Sequence, residues 1–532
     1  LIDIENNILR INEFFNFTII PPTIDIQVLV YVIIILFLIV YFIKSVYLIF
    51  LYVFSKKFIN DHERFLSKKV YSNYINSDLI KSIEKDRSKT FRNVYEVNAH
   101  SSGLESSFII NQEILTFFFL FIVIALLDLK IALILGILSI VIVIFFNFSS
   151  KKRLKFLGEM KREIESKNFT NVIDALVSHK EIKIFNKEIF FINEFEKIKN
   201  KMLQNTFKSS LLSYYPRFII EFFTLSAFLI YFVFSYIQID NLKEFIPTIV
   251  FVVMSAFRVL PSINRVVSNI QNLQRTSASI HNLNKENINS KKTRIYNKDK
   301  NFNFEKFIKF SSIEFSYNEK QTVLKNLNLT INKGDRIGIF GSSGSGKTTF
   351  LNLLLGLVKP TKGNVKIDDK FDLYENSTTW HKKLGFVPQR AYMQNASVTK
   401  NIAFGVNEEL IEKDKINSLI KFCKIDEFAS DKEAADKIFI GDDGNKISGG
   451  QAQRIGIARG LYRDSEVLVF DEATNSLDEK NEREILVNLT NKISKNKTII
   501  IVSHHEENLK KYCNKVYQIK NGEFEVILNN IH

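Results

Sequence analysis

The sequence predicts two domains of different class, a membrane-embedded all-α domain followed by a soluble α/β domain, and three observations predict it. Every long apolar run lies in the first half of the 532 residues. Residues 1–300 carry 38 basic and 26 acidic residues against 34 and 31 in residues 301–532, so a basic half precedes a nearly neutral one. Only the second half alternates short apolar strands with helix-like runs around a glycine-rich loop. A chain of this length exceeds a single hydrophobic core, and a mean hydropathy near zero is the average of the two unlike halves.

The membrane elements come first. A crossing helix needs about 20 apolar residues, and five segments approach that: 28–54, 107–127, 131–148, 218–237 and 245–260. Cytoplasmic loops are enriched in Lys and Arg. The connections 55–105 and 149–213 are long and basic, whereas 128–130 and 238–244 carry one lysine each, so the long loops face inside. That orientation leaves an odd number of crossings. Because the sequence starts at Leu1 and not at methionine, the expectation is about six helices with the first one missing upstream. Apolar residues recur at helical spacing through both long loops, as in Lys187-Glu188-Ile189-Phe190-Phe191, so they read as helices prolonged into the cytosol. Short coupling helices are expected near 76–84 and 186–195. The membrane domain then occupies 1–285, a linker 286–305 and the soluble domain 306–532. Two cysteines, Cys423 and Cys513, sit without metal-ligand spacing, so neither a disulfide framework nor a zinc site is argued and the soluble half is assigned to the cytoplasm.

In the soluble half, Gly341-Ser342-Ser343-Gly344-Ser345-Gly346-Lys347-Thr348-Thr349 is preceded by a strand-like run and followed by a helix-like one. This is the setting of a P-loop, in which glycines let backbone N–H groups wrap phosphates, Lys347 reaches the β/γ-phosphates and Thr348 ligates Mg²⁺. About 120 residues on, the strand Val467-Leu468-Val469-Phe470 ends in Asp471 and Glu472. An acid there can hold Mg²⁺ and a second can polarise water against the γ-phosphate. A P-loop NTPase fold using ATP and Mg²⁺ is predicted.

Between these motifs lies Ile447-Ser448-Gly449-Gly450-Gln451, and with it residues 311–525 resemble the nucleotide-binding domain of ATP-binding cassette (ABC) transporters, whose signature is usually L-S-G-G-Q. The resemblance implies that Tyr317 stacks on adenine, Gln389 is the Q-loop residue and Mg²⁺ ligand, Asp478 belongs to the D-loop and His504 is the switch histidine. It also implies that the signature of one domain completes the P-loop site of another, hence a homodimer with two whole sites. Membrane half first and nucleotide half second is the exporter arrangement of that superfamily.

Intramembrane cations are functional-site candidates by default. Lys44, Arg217, Arg258 and Arg265 lie in or beside apolar runs, and only Arg217 has an acid, Glu221, at helical spacing in its own segment. Surplus positive charge suits an anionic headgroup such as pyrophosphate. The run Phe257-Arg258-Val259-Leu260-Pro261-Ser262-Ile263-Asn264-Arg265 is similar to the R-x-x-P-S-x-N-R segment of the PglK-type flippases of lipid-linked oligosaccharides. That likeness implies an ATP-driven flippase in the bacterial inner membrane, acting on a polyprenyl-pyrophosphate-linked oligosaccharide, with residues 5–17 as a short external helix touching the polyprenyl tail. Export of another lipid, a drug or a peptide stays open, as does a membrane-anchored ATPase that transports nothing. Nucleic-acid binding is set aside, because the excess charge lies in loops beside the membrane, where anionic lipids account for it.

Overall fold

The computed structural model describes residues 26–80, 87–127, 129–238, 242–289, 302–318, 321–429, 432–441, 444–493 and 497–529. The expected external helix at 5–17 lies outside the described residues. The chain divides into two units, Leu1–Asn76 with Lys85–Lys292, and Ser77–Glu84 with Thr293–His532.

The first unit is helical. Its elements are α1 (Ile26–Ile75), α2 (Arg87–Tyr95), α3 (Val97–Leu127), α4 (Leu129–Val177), α5 (His179–Ile184), α6 (Glu188–Gln238) and α7 (Leu242–Asn289). The 50 residues of α1 rise about 1.5 Å each, more than twice the roughly 30 Å of a bilayer core. The basic loops are therefore continuations of the membrane helices, as their spacing predicts. Among the described residues three helices are long and apolar enough to cross a membrane, Val30–Ile75, Lys89–Leu126 and Leu129–Val177. The other two expected runs, 218–237 and 245–260, are carried by α6 and α7 and fall partly on side chains outside the description.

Packing holds these helices in two places. Ile124 of α3, Ile131, Leu135 and Ile142 of α4, Ile220 of α6 and Val259, Ile263 and Val267 of α7 form one apolar cluster. Leu66 and Val70 of α1 meet Val97 and Leu283 in another. Pro216 lies inside α6, and a proline cannot donate to the carbonyl four residues back. That carbonyl, Leu212 O, accepts instead from Gln271 Nε2 of α7 at 3.2 Å. Where α4 passes against α7, a Cβ on Gly158 would stand 2.3 Å from Arg275 O. By propensity alone Gly158→Ala would gain about 1 kcal/mol, but overpacking against a backbone carbonyl costs about 1–3 kcal/mol. Gly158→Ala is expected to lower the thermal midpoint of the solubilised protein. Gly136→Ala should not, because its Cβ would meet only the Phe121 ring, at 3.0 Å.

The second unit holds two sheets. A four-stranded antiparallel sheet runs β2-β1-β4-β5, from β1 (Phe307–Asn318), β2 (Gln321–Asn332), β4 (Lys362–Ile367) and β5 (Phe371–Asp372). A six-stranded sheet runs β10-β9-β3-β8-β7-β6, from β3 (Arg336–Phe340), β6 (Leu384–Val387), β7 (Val467–Asp471), β8 (Thr498–Val502), β9 (Lys515–Lys520) and β10 (Glu523–Asn529). Its strands β6 to β9 and β3 are parallel, with β10 antiparallel at the edge. Parallel strands are covered on both faces and so read as continuous apolar runs; β8 is buried at every position. The helices are α8 (Lys347–Leu354), α9 (Ser377–Lys382), α10 (Val398–Ile402), α11 (Lys413–Phe422), α12 (Lys432–Lys437), α13 (Gly449–Tyr462), α14 (Glu479–Asn488) and α15 (Glu506–Tyr512).

Two of the expected segments, the linker 286–305 and the second coupling segment, take another form. Helix α7 runs on to Asn289, and Phe302 and Phe304 are buried in the core of the second unit, so the expected linker 286–305 is helical at its start and core at its end. Leu79 and Ile80, from the first expected coupling segment, pack against that same core. The second expected coupling segment, 186–195, is a turn at Asn186, with φ 51°, followed by the opening of α6. The short helix there is α5, just before it.

Candidate functional site

The nucleotide centre lies where β3, β6, β7 and β8 end side by side. Between β3 and α8 the loop turns through Gly344 (φ 79°) and Gly346 (φ 111°), a region closed to most L side chains. A Cβ on Gly341 would also stand 2.5 Å from Ile519 O. Lys347 is buried, and its Nζ donates to Gly341 O at 2.8 Å and Ser342 O at 3.1 Å. Ser345 Oγ is buried without a hydrogen-bond partner among the described residues, whereas Thr348 is exposed.

Glu472 is the hub. It follows β7 in the left-handed region at φ 48°, which strains a non-glycine residue and is typical of functional positions. Its Oε1 lies 2.8 Å from His504 Nε2 and 3.9 Å from Lys347 Nζ. Its Oε2 accepts from Gln389 Nε2 at 2.7 Å and from Asn475 Nδ2 at 3.2 Å. Three residues from separate motifs, Lys347, Gln389 and His504, thus converge on one buried carboxylate together with Asn475, three positions further along the chain, which no motif marked.

Beside it, burial and then the Glu472 charge push the Asp471 carboxyl above its ordinary range, with Lys347 opposing. A divalent cation would relieve that cost. The raised Asp471, the exposed Thr348 hydroxyl and the orphaned Ser345 hydroxyl fit a magnesium nucleotide; the residues present suit the group.

The remaining predicted residues are placed as follows. Tyr317, near the end of β1, accepts through its phenolic oxygen from Thr349 Oγ1 at 3.3 Å and from Asn352 Nδ2 at 3.5 Å. Ser448 and Gln451 form a reciprocal capping box at the start of α13. Ser448 and Gly449 are exposed, and nothing in the described chain lies within 4 Å of a Cβ built on Gly449. Ile447, in place of the usual leucine, packs on the neighbouring core. Asp478 caps α14 through Asn481, whose backbone N–H and side-chain amide hold its carboxyl below the usual range.

In the membrane unit, the expected surplus of positive charge needs correction. Arg265 is not without an acid: its Nε and Nη2 engage Glu113 of α3 at 2.5 and 3.2 Å. Arg217 pairs with Glu221 at 3.0 Å, and Lys44 lies 4.7 Å from the centre of the Tyr41 ring. Arg258 is exposed. Two of the four cations are therefore neutralised by partners, one of them from another helix.

Comparison with known proteins agrees with both halves. Residues 324–475 match the family model described as ABC transporter, and residues 100–261 match the ABC transporter transmembrane region. Over 266 residues the chain is 32% identical to the heterocyst differentiation ATP-binding protein HepA of Nostoc sp., covering 48% of this chain and 43% of that one. Over 396 residues it is 29% identical to an ATP-dependent lipid A-core flippase of Wigglesworthia glossinidia brevipalpis, covering 72% of this chain and 65% of the relative. The chain thus spans less than two thirds of either relative's length. In three dimensions it resembles a bacterial Atm1-family ABC exporter solved with ATP bound, with a TM-score of 0.77 at 20% identity over 88% of this chain and 82% of that one.

Proposed function

We propose that this chain, which carries the transmembrane region and the ATP-binding domain of an ABC exporter, pairs with a second copy of itself in the bacterial inner membrane. There it hydrolyses ATP to flip an anionic lipid, a polyprenyl-pyrophosphate-linked oligosaccharide, from the cytoplasmic to the outer leaflet. The observation that carries the ATPase reading is the convergence of Lys347, Gln389 and His504 on Glu472. Bound Mg²⁺ supplies neutralisation of the phosphate charge, and Thr348, Gln389 and Asp471 would hold it. The backbone N–H groups from Gly341 to Thr349 and the Lys347 ammonium bind the phosphates. Tyr317 takes the adenine, while Ser448, Gly449, Gly450 and Gln451, with Asp478, act on the site of the other copy.

In this scheme Lys347 and His504 exchange Glu472 for the γ-phosphate, and the released carboxylate takes the proton of the attacking water. ATP favours the paired state of the two ATP-binding domains because only that state offers both halves of each site.

The cargo reading is supported by the R-x-x-P-S-x-N-R run and by Lys44 and Arg258, which have no ion pair among the described residues, with Arg217 and Arg265 as held cations. A relative described as a lipid A-core flippase is in keeping with amphiphilic cargo. Replacing Lys44, Arg217 and Arg258 together by neutral residues is expected to abolish flipping of a polyprenyl-pyrophosphate saccharide in proteoliposomes. Flipping that survives the triple change sinks the pyrophosphate reading and favours a cargo of another class.

A further inference from the structure

The apolar run 107–127 of α3 contains one charged residue, Glu113. Its side chain is 7% exposed, and a buried carboxylate persists only with donors around it. Among the described residues those donors come from α7. Oε1 accepts from Arg265 Nε, and Oε2 accepts from Arg265 Nη2 and from the Ser262 hydroxyl. The grip is one-sided: Glu113 takes the inner edge of a guanidinium that is itself 49% exposed. Seven residues earlier, two turns away and on the same face of α7, stands the exposed Arg258.

Among the described residues, the neighbouring membrane segments leave Glu113 as the counter-charge. Glu105, the other acid of α3, is taken by Lys56 of α1 at 2.5 Å. The stretch 131–148 of α4 has no charged residue, and Glu221 of α6 is held by Arg217.

We propose that Glu113 is an internal counter-anion that sets how tightly Arg265 holds the anionic group of the cargo. This rests on the cargo reading above and adds to it the residue that tempers affinity. An exporter must let its cargo go, and a bare pair of arginines would bind a diphosphate too strongly for turnover. Two effects oppose each other when Glu113 becomes glutamine. The new amide can still accept from Arg265 through its carbonyl oxygen, so little orientation is lost. A full negative charge beside the anion's partner disappears, and in such surroundings charge outweighs one hydrogen bond. Affinity should therefore rise.

The test uses the whole chain in vesicles containing graded amounts of a polyprenyl pyrophosphate, with lipid-stimulated ATP hydrolysis as readout. Glu113→Gln is expected to lower the half-stimulating concentration about tenfold, equivalent to about 1.4 kcal/mol, and to lower the maximal rate. Glu113→Asp, which keeps the charge on a shorter arm, should fall between it and the wild type and serves if the glutamine variant does not fold. Adding Arg265→Gln should erase the gain. A wild type that responds to the lipid, with a half-stimulating concentration unchanged or raised in Glu113→Gln, would mean that the pair merely braces α3 to α7. A wild type that hydrolyses ATP without responding to the lipid would overturn the cargo reading, and this proposal with it.

Discussion

Glu472→Gln is expected to abolish ATP hydrolysis, lowering kcat by about 10²- to 10⁴-fold, while ATP binding persists or tightens. The two halves of that expectation follow from different atoms. Glutamine has nearly the shape of glutamate and can still accept from Gln389 and Asn475, which now hold Oε2 at 2.7 and 3.2 Å. It cannot accept the proton of an attacking water. In the proposed scheme binding relies on the loop from Gly341 to Thr349 and on Lys347, whose ammonium now lies 3.9 Å from the carboxylate. Removing that negative charge leaves Lys347 a better partner for phosphate. Phosphate release measured beside nucleotide retention separates the two, and full turnover in the variant would refute the role given to Glu472.

The P-loop and the acidic strand end were legible because each is a short contiguous motif whose chemistry is local, whereas Tyr317, Gln389, Asp478 and His504 were legible only through the family resemblance. A strand, a glycine-rich turn and Lys347 at the start of a helix announce themselves within a dozen residues, as does the apolar strand ending in Asp471 and Glu472, whereas Ser448 to Gln451 were read through a family resemblance and their reciprocal cap is visible only in the structure. What sequence could not show was the meeting of Gln389, Lys347, Asn475 and His504 around one carboxylate, since the parallel sheet assembles strand ends that lie far apart in the chain. The membrane half was legible in outline for a similar reason. Apolar runs and helical spacing are local, and the long helices follow from them, although their lengths were hidden where polarity changes at the membrane surface and the helix does not stop. Glu113 was missed because its partner Arg265 is 152 positions away. A search for counter-charges within one segment cannot find a pair made between helices.

The proposed pairing of two copies yields the second large effect. Gly449→Asp is also expected to abolish hydrolysis, although Gly449 touches none of the groups around Glu472 in its own chain. Within the described chain a side chain there would meet nothing within 4 Å, so neither packing nor a hydrogen bond is lost. In the proposed pair the surface that meets Gly449 comes from the other copy, and an aspartate would place a negative charge against its phosphates. If each site combines the P-loop and Glu472 of one copy with the signature of the other, two inactive variants can rescue each other. In a mixed pair of Glu472→Gln and Gly449→Asp chains, one site carries both lesions and the other carries none. Random co-assembly makes about half of the pairs mixed, each with one working site, so about a quarter of wild-type hydrolysis should return if the sites of a two-fold pair act independently. The two chains would be co-expressed with different tags and the mixed pairs isolated through both, which should raise the recovered hydrolysis to about half of wild type on the same arithmetic. Rescue in the mixed pairs and none in either parent locates the signature on the neighbouring copy. Mixed pairs as inactive as their parents would mean that each chain completes its own site, and the homodimer would lose its catalytic purpose.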